Sequence, residues 1–325
     1  NMNLINKNDT IFIAGHKGMV GSAIKRSLVK NGYKNLLLIN RDNLDLSDFQ
    51  AVESWFKKNK PNIVILAAAK VGGILANSKY PVEFLLNNMK IQTNVIESSW
   101  LNGVRRLLFL GSSCIYPKNC NQPINEEYLL KGELEKTNEY YAIAKIAGIK
   151  LCEALRKEYN FDAISLMPTN LYGPNDNYHP SESHVMASLI RKFLLAKKNN
   201  LPAVTCWGSG KPMREFLHVD DFSEAAIFCL ENWDPNKKNA PKNSFGDTLN
   251  FINVGTGIDI SIKDLSKMIA EIINYKGRII WDISKPDGTK RKLLNTSKIN
   301  ELGWKAKIDL NTGIKKTIEE QISIY

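Results

Sequence analysis

A doubly wound, parallel α/β sheet with a smaller C-terminal α/β lobe is the architecture this sequence predicts. Apolar strand-like runs alternate with helical patterns through the first half of the chain, as parallel βαβ units require. A glycine-rich turn joins the first of these strands to the first helix. Past residue 170 the alternation loosens into short strands with longer connections, which suits a second lobe. At 325 residues the chain can hold one large α/β domain, or a core domain and a smaller lobe.

The elements run in order along the chain. "TIFIAG" (10–15) is the first strand, and the next helix runs to about Lys30 and ends at Gly32. "LLLIN" (36–40) is the second strand; "SDFQ" (47–50) has capping-box spacing and opens a helix that Pro61 stops. "NIVILAAA" (62–69) is the third strand, and Pro81 suits the first turn of a long helix towards Gly103. "RLLFLG" (106–111) and "AISLMP" (163–168) are the fourth and fifth strands. Further on, "AVTCWG" (203–208), "FINVG" (251–255) and "RIIWD" (278–282) read as short strands. The polar stretch 234–247, "DPNKKNAPKNSFGD", reads as a surface loop.

Composition narrows the class. Hydrophobic residues at 43% and charged residues at 24% describe a soluble globular protein. The first residues lack an export signal and no run of 18 apolar residues occurs, so a cytoplasmic protein with no membrane partner is expected. Five cysteines (114, 120, 152, 206, 229) form no C-x-x-C pair, and their odd number favours reduced thiols. No ligands cluster with metal-like spacing, so no metal is expected. The formal charge of +11 admits a polyanionic partner or a Lys- and Asn-rich bias. Lysines are spread along the chain without a basic-aromatic face, which argues against nucleic acid.

"GHKGMVG" (15–21) comes directly after the first strand and opens a helix. Gly15, Gly18 and Gly21 permit a tight turn, close approach to a pyrophosphate and close helix–strand contact, as in a Rossmann-type dinucleotide site. The helix N-terminus offers free N–H groups to the phosphates. A strand-end acid would favour NAD; here "LLLINRDN" places Asn40 and Arg41 first, with Asp42 displaced by two. Arg41 and Lys17 together favour the 2′-phosphate of NADP(H), against the alternative of a solvated loop arginine. The expected division is an NADP-binding domain over residues 1–170 and a mainly substrate-binding lobe over 171–325. Some segments of that lobe are expected to return to the first domain.

In "YYAIAKIAGIKLCEALRKEY" Tyr141 and Lys145 are four apart and share a helix face. An ammonium beside a phenol stabilises the phenolate, so a lowered tyrosine pKa is expected. Tyr140 lacks that relation to Lys145. Ser112 and Ser113 lie just past the end of the fourth strand, where open α/β sheets place ligands, and a hydroxyl there can bond a carbonyl oxygen.

With these features the sequence resembles the extended short-chain dehydrogenase/reductases that act on nucleotide sugars. Further blocks, "AAAKVGGI", "GSSCIYP", "MPTNLYGPNDNYHPSESHV", "WGSGKPMREFLHVDD" and "KPDGTKRKLL", resemble one family within that group, the GDP-L-fucose synthases. The likeness runs from about residue 10 to about 310. It implies 3,5-epimerisation of GDP-4-keto-6-deoxy-D-mannose, then NADPH-dependent reduction at C4, by a homodimer paired through helices near 82–102 and 139–158. It implies a cofactor site over Gly15, His16, Lys17, Gly18, Met19, Val20 and Gly21, with Arg41, Leu110, Gly111, Ser112, Ser113 and Lys145. Pro168, Thr169, Asn170, Leu171 and His184 complete that site.

The resemblance also gives Cys114 a role. A 4-keto group acidifies the hydrogens at C3 and C5, and inversion needs a base on one face and an acid on the other. The family's cysteine and histidine for that task map onto Cys114 and His184, beside Ser112, Tyr141 and Lys145 for reduction. Lys192, Trp207, Arg214 and Asp287 map onto the GDP-sugar site, with Lys292 in the same block as Asp287. Two departures stand out. "IRKF" replaces the family's usual "RRF", which leaves Lys192 a charge without the guanidinium fork, and Tyr140 stands where proline is usual. The alternatives are another nucleotide-sugar epimerase, reductase or dehydratase, and a non-catalytic dinucleotide-binding protein. Cys114 and the intact Tyr141–Lys145 pair discriminate against them.

Overall fold

The computed structural model describes residues 3–323. Its first half is built from β1 (Ile11–Ala14), α1 (Met19–Lys30), β2 (Leu36–Leu37), α2 (Phe49–Asn59), β3 (Ile63–Leu66) and α3 (Ile74–Lys79). After these come α4 (Asn88–Leu101), β4 (Arg106–Leu110), α5 (Glu139–Tyr159), β5 (Ala163–Pro168) and β6 (Asn170–Tyr172). The second half adds α6 (Val185–Lys198), β7 (Ala203–Trp207), β8 (Met213–His218), α7 (Val219–Asn232), β9 (Phe251–Val254) and β10 (Asp259–Ser261). The chain ends in α8 (Ile262–Ile273), β11 (Arg278–Asp282), β12 (Arg291–Lys292), α9 (Ser297–Leu302) and α10 (Leu310–Ile322). Among the described residues no helix is long and apolar enough to cross a membrane.

The main sheet has six parallel strands in the order β2-β1-β3-β4-β5-β9. Helices cover both faces, so β1, β3, β4, β5 and β9 are buried along their whole length, and their near-continuous apolar sequences result from that. Ile24 and Leu28 of α1 pack with Phe222 and Leu230 of α7 on one face. Phe56 of α2, Val95 of α4 and Ile149 of α5 pack on the other. The strand order reverses at β1, between β2 and β3, and ligands of such sheets bind beyond the strand ends at that switch. A second sheet, β10-β8-β12 with β6 alongside β8, and the pair β11-β7 surround a separate core of Phe193, Ile269 and Ile314.

Several local expectations are corrected. The second strand keeps only Leu36–Leu37, because the edge chain turns away where Asn43 and Leu44 donate to the Asn40 carbonyl. The N-cap of α2 is Asp48, whose carboxylate accepts from Ala51 N at 3.2 Å, while the Ser47 hydroxyl turns back onto Asp45 at 2.6 Å. The helix after Pro81 opens with a π-helical turn, Glu83–Asn87, before α4. "FINVG" supplies β9, the sixth strand of the main sheet, so the chain crosses back after the second lobe has begun.

Candidate active site

The glycine turn is tight enough to serve as a phosphate cradle. Gly15 has φ +87°, and a Cβ there would lie 2.7 Å from the Ala68 backbone. A Cβ on Gly21 would lie 1.9 Å from the Gly15 carbonyl oxygen, so the helix start closes directly on the turn. Gly18 is the N-cap of α1 and supplies no side-chain cap, which leaves the N–H groups of Met19 and Val20 facing outward for an anion. Burial pushes the His16 imidazole below its usual range, helped by Lys17 and Lys25. Lys17 and Arg41 are exposed cations. These residues fit a dinucleotide pyrophosphate.

Beside this cradle α5 presents Tyr141 and Lys145. Lys145 is 5% exposed, and its Nζ donates to the Leu110 carbonyl at 2.9 Å and stands 5.6 Å from the Tyr141 ring centroid. Burial draws its pKa down to about 8, opposed by the nearby Cys114. The expected lowering of the tyrosine pKa is not found: burial raises it, and the neighbouring Cys114 adds to the rise. The ammonium spends its short bond on Leu110 instead of the phenol. The π-turn, which no sequence pattern announced, places Phe84 edge-on to Tyr141 with centroids 6.0 Å apart. Asn88 donates to the Phe84 carbonyl at 2.8 Å and accepts from Lys70 N at 2.8 Å, and Gln92 donates to Ala144 O at 2.6 Å.

Past β4, Gly111 passes tightly, since a Cβ there would meet the Met167 side chain at 2.4 Å. Ser112 then caps a 3₁₀ turn, Ser113–Ile115, its Oγ accepting from Cys114 N at 3.4 Å. This turn points Cys114 inward, 6% exposed, while Ser113 is buried. Burial pushes the Cys114 thiol up; Lys292, the Ser112 hydroxyl and Lys145 pull the other way. The remaining cysteines stand as free thiols, with Cys152 and Cys229 held neutral by burial.

His184 is the N-cap residue of α6 and stays partly open to solvent. Protein surrounds it on most other sides, and this desolvation, then Lys292, lowers its pKa. The strap before it is tied down: Asn175 donates to Ser22 Oγ of α1 at 3.1 Å, and Gly73 N donates to Glu182 O at 3.2 Å. His179 holds the strap's turn, its Nδ1 accepting from Ser181 N and Glu182 N at 3.1 Å each. His218 caps α7 by accepting from Asp220 N at 3.0 Å. Both histidines are structural.

The structure thus gathers Ser112, Cys114, Tyr141 and Lys145 into one cluster, with Lys292 acting electrostatically on both Cys114 and His184. Among the described residues no group of three or more His, Cys, Asp or Glu is placed to hold a metal ion. Pro168 ends β5, Thr169 and Asn170 bond the Glu215 carbonyl at 3.2 and 3.1 Å, and Leu171 packs into the core. At the second lobe, Trp207 is 59% exposed, with Lys192 Nζ 5.6 Å and Lys285 Nζ 5.1 Å from its ring centroid. Arg214 donates to Thr289 O at 2.6 Å and neighbours Lys292 in register across β8 and β12. Asp287 uses both carboxylate oxygens on Ser209, at 2.8 and 2.6 Å, so it shapes the loop beside Trp207. Phe84 carries no sequence signal, and Lys285, although it opens the "KPDGTKRKLL" block, is not singled out by it; the fold brings its Nζ to the Trp207 ring.

Residues 11–243 match the model of the NAD-dependent epimerase/dehydratase family. The chain belongs to that family. Within it, the chain is 52% identical over 313 residues to the GDP-L-fucose synthase of Escherichia coli (strain K12), covering 95% of each protein. It is 50% identical over 313 residues to GDP-L-fucose synthase 1 of Arabidopsis thaliana, covering 96% of this chain and 93% of the plant protein. MlghC, the GDP-mannoheptose C4 reductase from Campylobacter jejuni solved with NADP bound, has a TM-score of 0.86 at 39% identity, covering 97% of this chain and 98% of that one. This member of the epimerase/dehydratase family therefore stands with the GDP-L-fucose synthases.

Proposed function

We propose that this chain converts GDP-4-keto-6-deoxy-D-mannose to GDP-L-fucose by 3,5-epimerisation and NADPH-dependent reduction at C4. One observation carries the reading: a buried thiol, Cys114, stands close to the Tyr141–Lys145 pair, which a simple ketone reductase would not need. The identities with GDP-L-fucose synthases support the substrate. Residues 1–170 with β9 bind the cofactor, and most of the remainder binds the sugar nucleotide.

Ser112 and Tyr141 bond the C4 oxygen and stabilise the charge that develops there when a proton leaves C3 or C5. Burial keeps the Cys114 thiol protonated and the His184 imidazole neutral at rest. In that state His184 can accept a proton and Cys114 can give one, which is the pairing inversion requires. Lys292 stabilises the thiolate left when Cys114 has given its proton. Lys17, Arg41 and the glycine turn hold NADP(H), whose chemistry here is hydride delivery. Tyr141 protonates the C4 oxygen, and Lys145 orients the ribose. Arg214, Lys292, Lys192 and Trp207 hold the GDP moiety.

A homodimer paired through α4, the π-turn before it and α5 fits the apolar side chains exposed there: Leu86 at 46%, Leu101 at 52% and Ile143 at 45%. The test of function is NADPH oxidation, monitored by absorbance, with GDP-4-keto-6-deoxy-D-mannose. Consumption with this ketone and none with a GDP-sugar lacking a 4-keto group is expected. No consumption with the ketone would overturn the reading.

A further inference from the structure

Glu215 is fully buried in β8, between the two halves of the molecule, and takes no part in the chemistry above. Its carboxylate is surrounded by donors. Oε2 accepts from Thr256 N at 2.8 Å, Gly257 N at 2.7 Å and Thr256 Oγ1 at 3.3 Å, while Oε1 accepts from Leu294 N at 3.1 Å. The Gly255 backbone approaches so closely that a Cβ there would lie 2.4 Å from Oε2. On the other side, the Glu215 carbonyl receives Thr169 Oγ1 and Asn170 Nδ2. One residue therefore joins the end of β5, the turn after β9 and the segment after β12.

The neighbours of these contacts are the substrate cations. Arg214 precedes Glu215 and projects to the opposite face of β8, because successive strand residues alternate. Lys292 pairs with Arg214 in register, but β12 is only two residues long and has little ladder of its own. The next two residues are held by side chains: Leu293 N on Gln122 Oε1 at 2.8 Å and Leu294 N on Glu215 Oε1. We propose that Glu215 is a positioning residue that fixes Lys292 beside Arg214 for the substrate diphosphate, and docks that pair against the cofactor strand. The proposal rests on the reading of Arg214 and Lys292 as substrate-binding cations.

The geometry singles out Glu215→Gln. Two backbone N–H groups share Oε2, so the amide oxygen takes that side and its NH₂ then faces Leu294 N–H, donor against donor. The segment carrying Lys292 loses its anchor at Leu294, keeping those at Leu293 N on Gln122 and Leu293 O from Ile124 N, while the carbonyl contacts to Thr169 and Asn170 persist. The purified protein and its variants are titrated calorimetrically with GDP and, separately, with NADPH. Glu215→Gln should bind GDP about tenfold more weakly, as the loss of a buried hydrogen bond warrants, and NADPH within about twofold of the parent. In a Lys292→Ala background the same change should cost GDP binding nothing more, because the effect runs through Lys292. Gly255→Ala, which crowds the carboxylate and leaves it charged, should reproduce the split and serves if Glu215→Gln does not fold.

Unchanged GDP affinity in a folded Glu215→Gln variant overturns the proposal and leaves the proposed function standing. Equal weakening of GDP and NADPH, or a full additional loss in the Lys292→Ala background, also overturns it, since Glu215 would then be only a general support. A parent protein that binds NADPH but not GDP overturns the proposal together with the functional reading beneath it.

Discussion

Replacing Cys114 with alanine separates the epimerase from the reductase, and the structure sets the size of the effect. The thiol is 6% exposed, so its removal deletes one buried sulfur, comparable to about 0.8 kcal/mol for a buried methylene. The bond from Cys114 to Ser112 Oγ uses the backbone N–H and survives the change. A general acid or base contributes about 10²–10⁴-fold in rate, or roughly 2.7–5.4 kcal/mol. The catalytic loss therefore exceeds the structural one severalfold, and unfolding cannot imitate it. The assay is proton NMR in heavy water with NADP⁺ and GDP-4-keto-6-deoxy-D-mannose, tracking loss of the C3 and C5 signals. The parent should exchange both, and Cys114→Ala should do so about 10²–10⁴-fold more slowly with Tyr141 and Lys145 intact. Exchange at the parental rate would show that the thiol only packs, and would refute the epimerase assignment.

Tyr141→Phe should have the opposite signature: NADPH oxidation falls about 10²–10⁴-fold while measurable exchange at C3 and C5 persists. Arg41→Ala should raise the KM for NADPH and leave that for NADH nearly unchanged; equal losses would remove the 2′-phosphate from its assignment. Glu126, 4% exposed, has its pKa raised by burial to about 7 from the ordinary 4.5. The folded protein binds that proton more tightly than the unfolded chain, so the associated stability is full below pH 4.5 and is lost as pH rises through about 7. Thermal unfolding of Glu126→Gln should lack this decline, on the order of 3 kcal/mol at about 1.36 kcal/mol per pH unit; a parallel decline in both proteins would contradict it. Light scattering at micromolar concentration should give a dimer, and Ile143→Asp a monomer.

How much of the molecule is legible in its sequence depends on what each residue answers to. β1, β3, β4 and β5 are legible because strands buried on both faces must be apolar throughout. The glycine turn is legible because its backbone passes too close to Ala68 and Gly15 for a side chain, and the Tyr141–Lys145 pair because a four-residue spacing shares one helix face. The end of β2 is misread because the apolar run continues through Leu38 and Ile39 after strand pairing has stopped at Leu37, just before the turn at Asn40. Ser47 and Asp48 are both competent caps, and only the Asp45 contact decides between them. The π-turn at Glu83–Asn87 has no compositional mark, so the Phe84–Tyr141 contact could not be foreseen. Short strands such as β6 and β12 exist through pairing with β8, a tertiary event. Glu215 and Lys285 lie inside matched blocks, yet their contacts, with Thr256, Gly257 and Leu294 and with the Trp207 ring, exist only in the folded chain.

The central claim is that one pocket performs both proton transfer at carbon and reduction at C4. Its most direct test is a single turnover in heavy water with NADPH and GDP-4-keto-6-deoxy-D-mannose, the product sugar being assigned by NMR and mass spectrometry. The account predicts GDP-L-fucose carrying solvent deuterium at C3 and C5 and the cofactor's hydrogen at C4. A 6-deoxy sugar that keeps the D-manno configuration at C3 and C5, with no deuterium at either carbon, would contradict it.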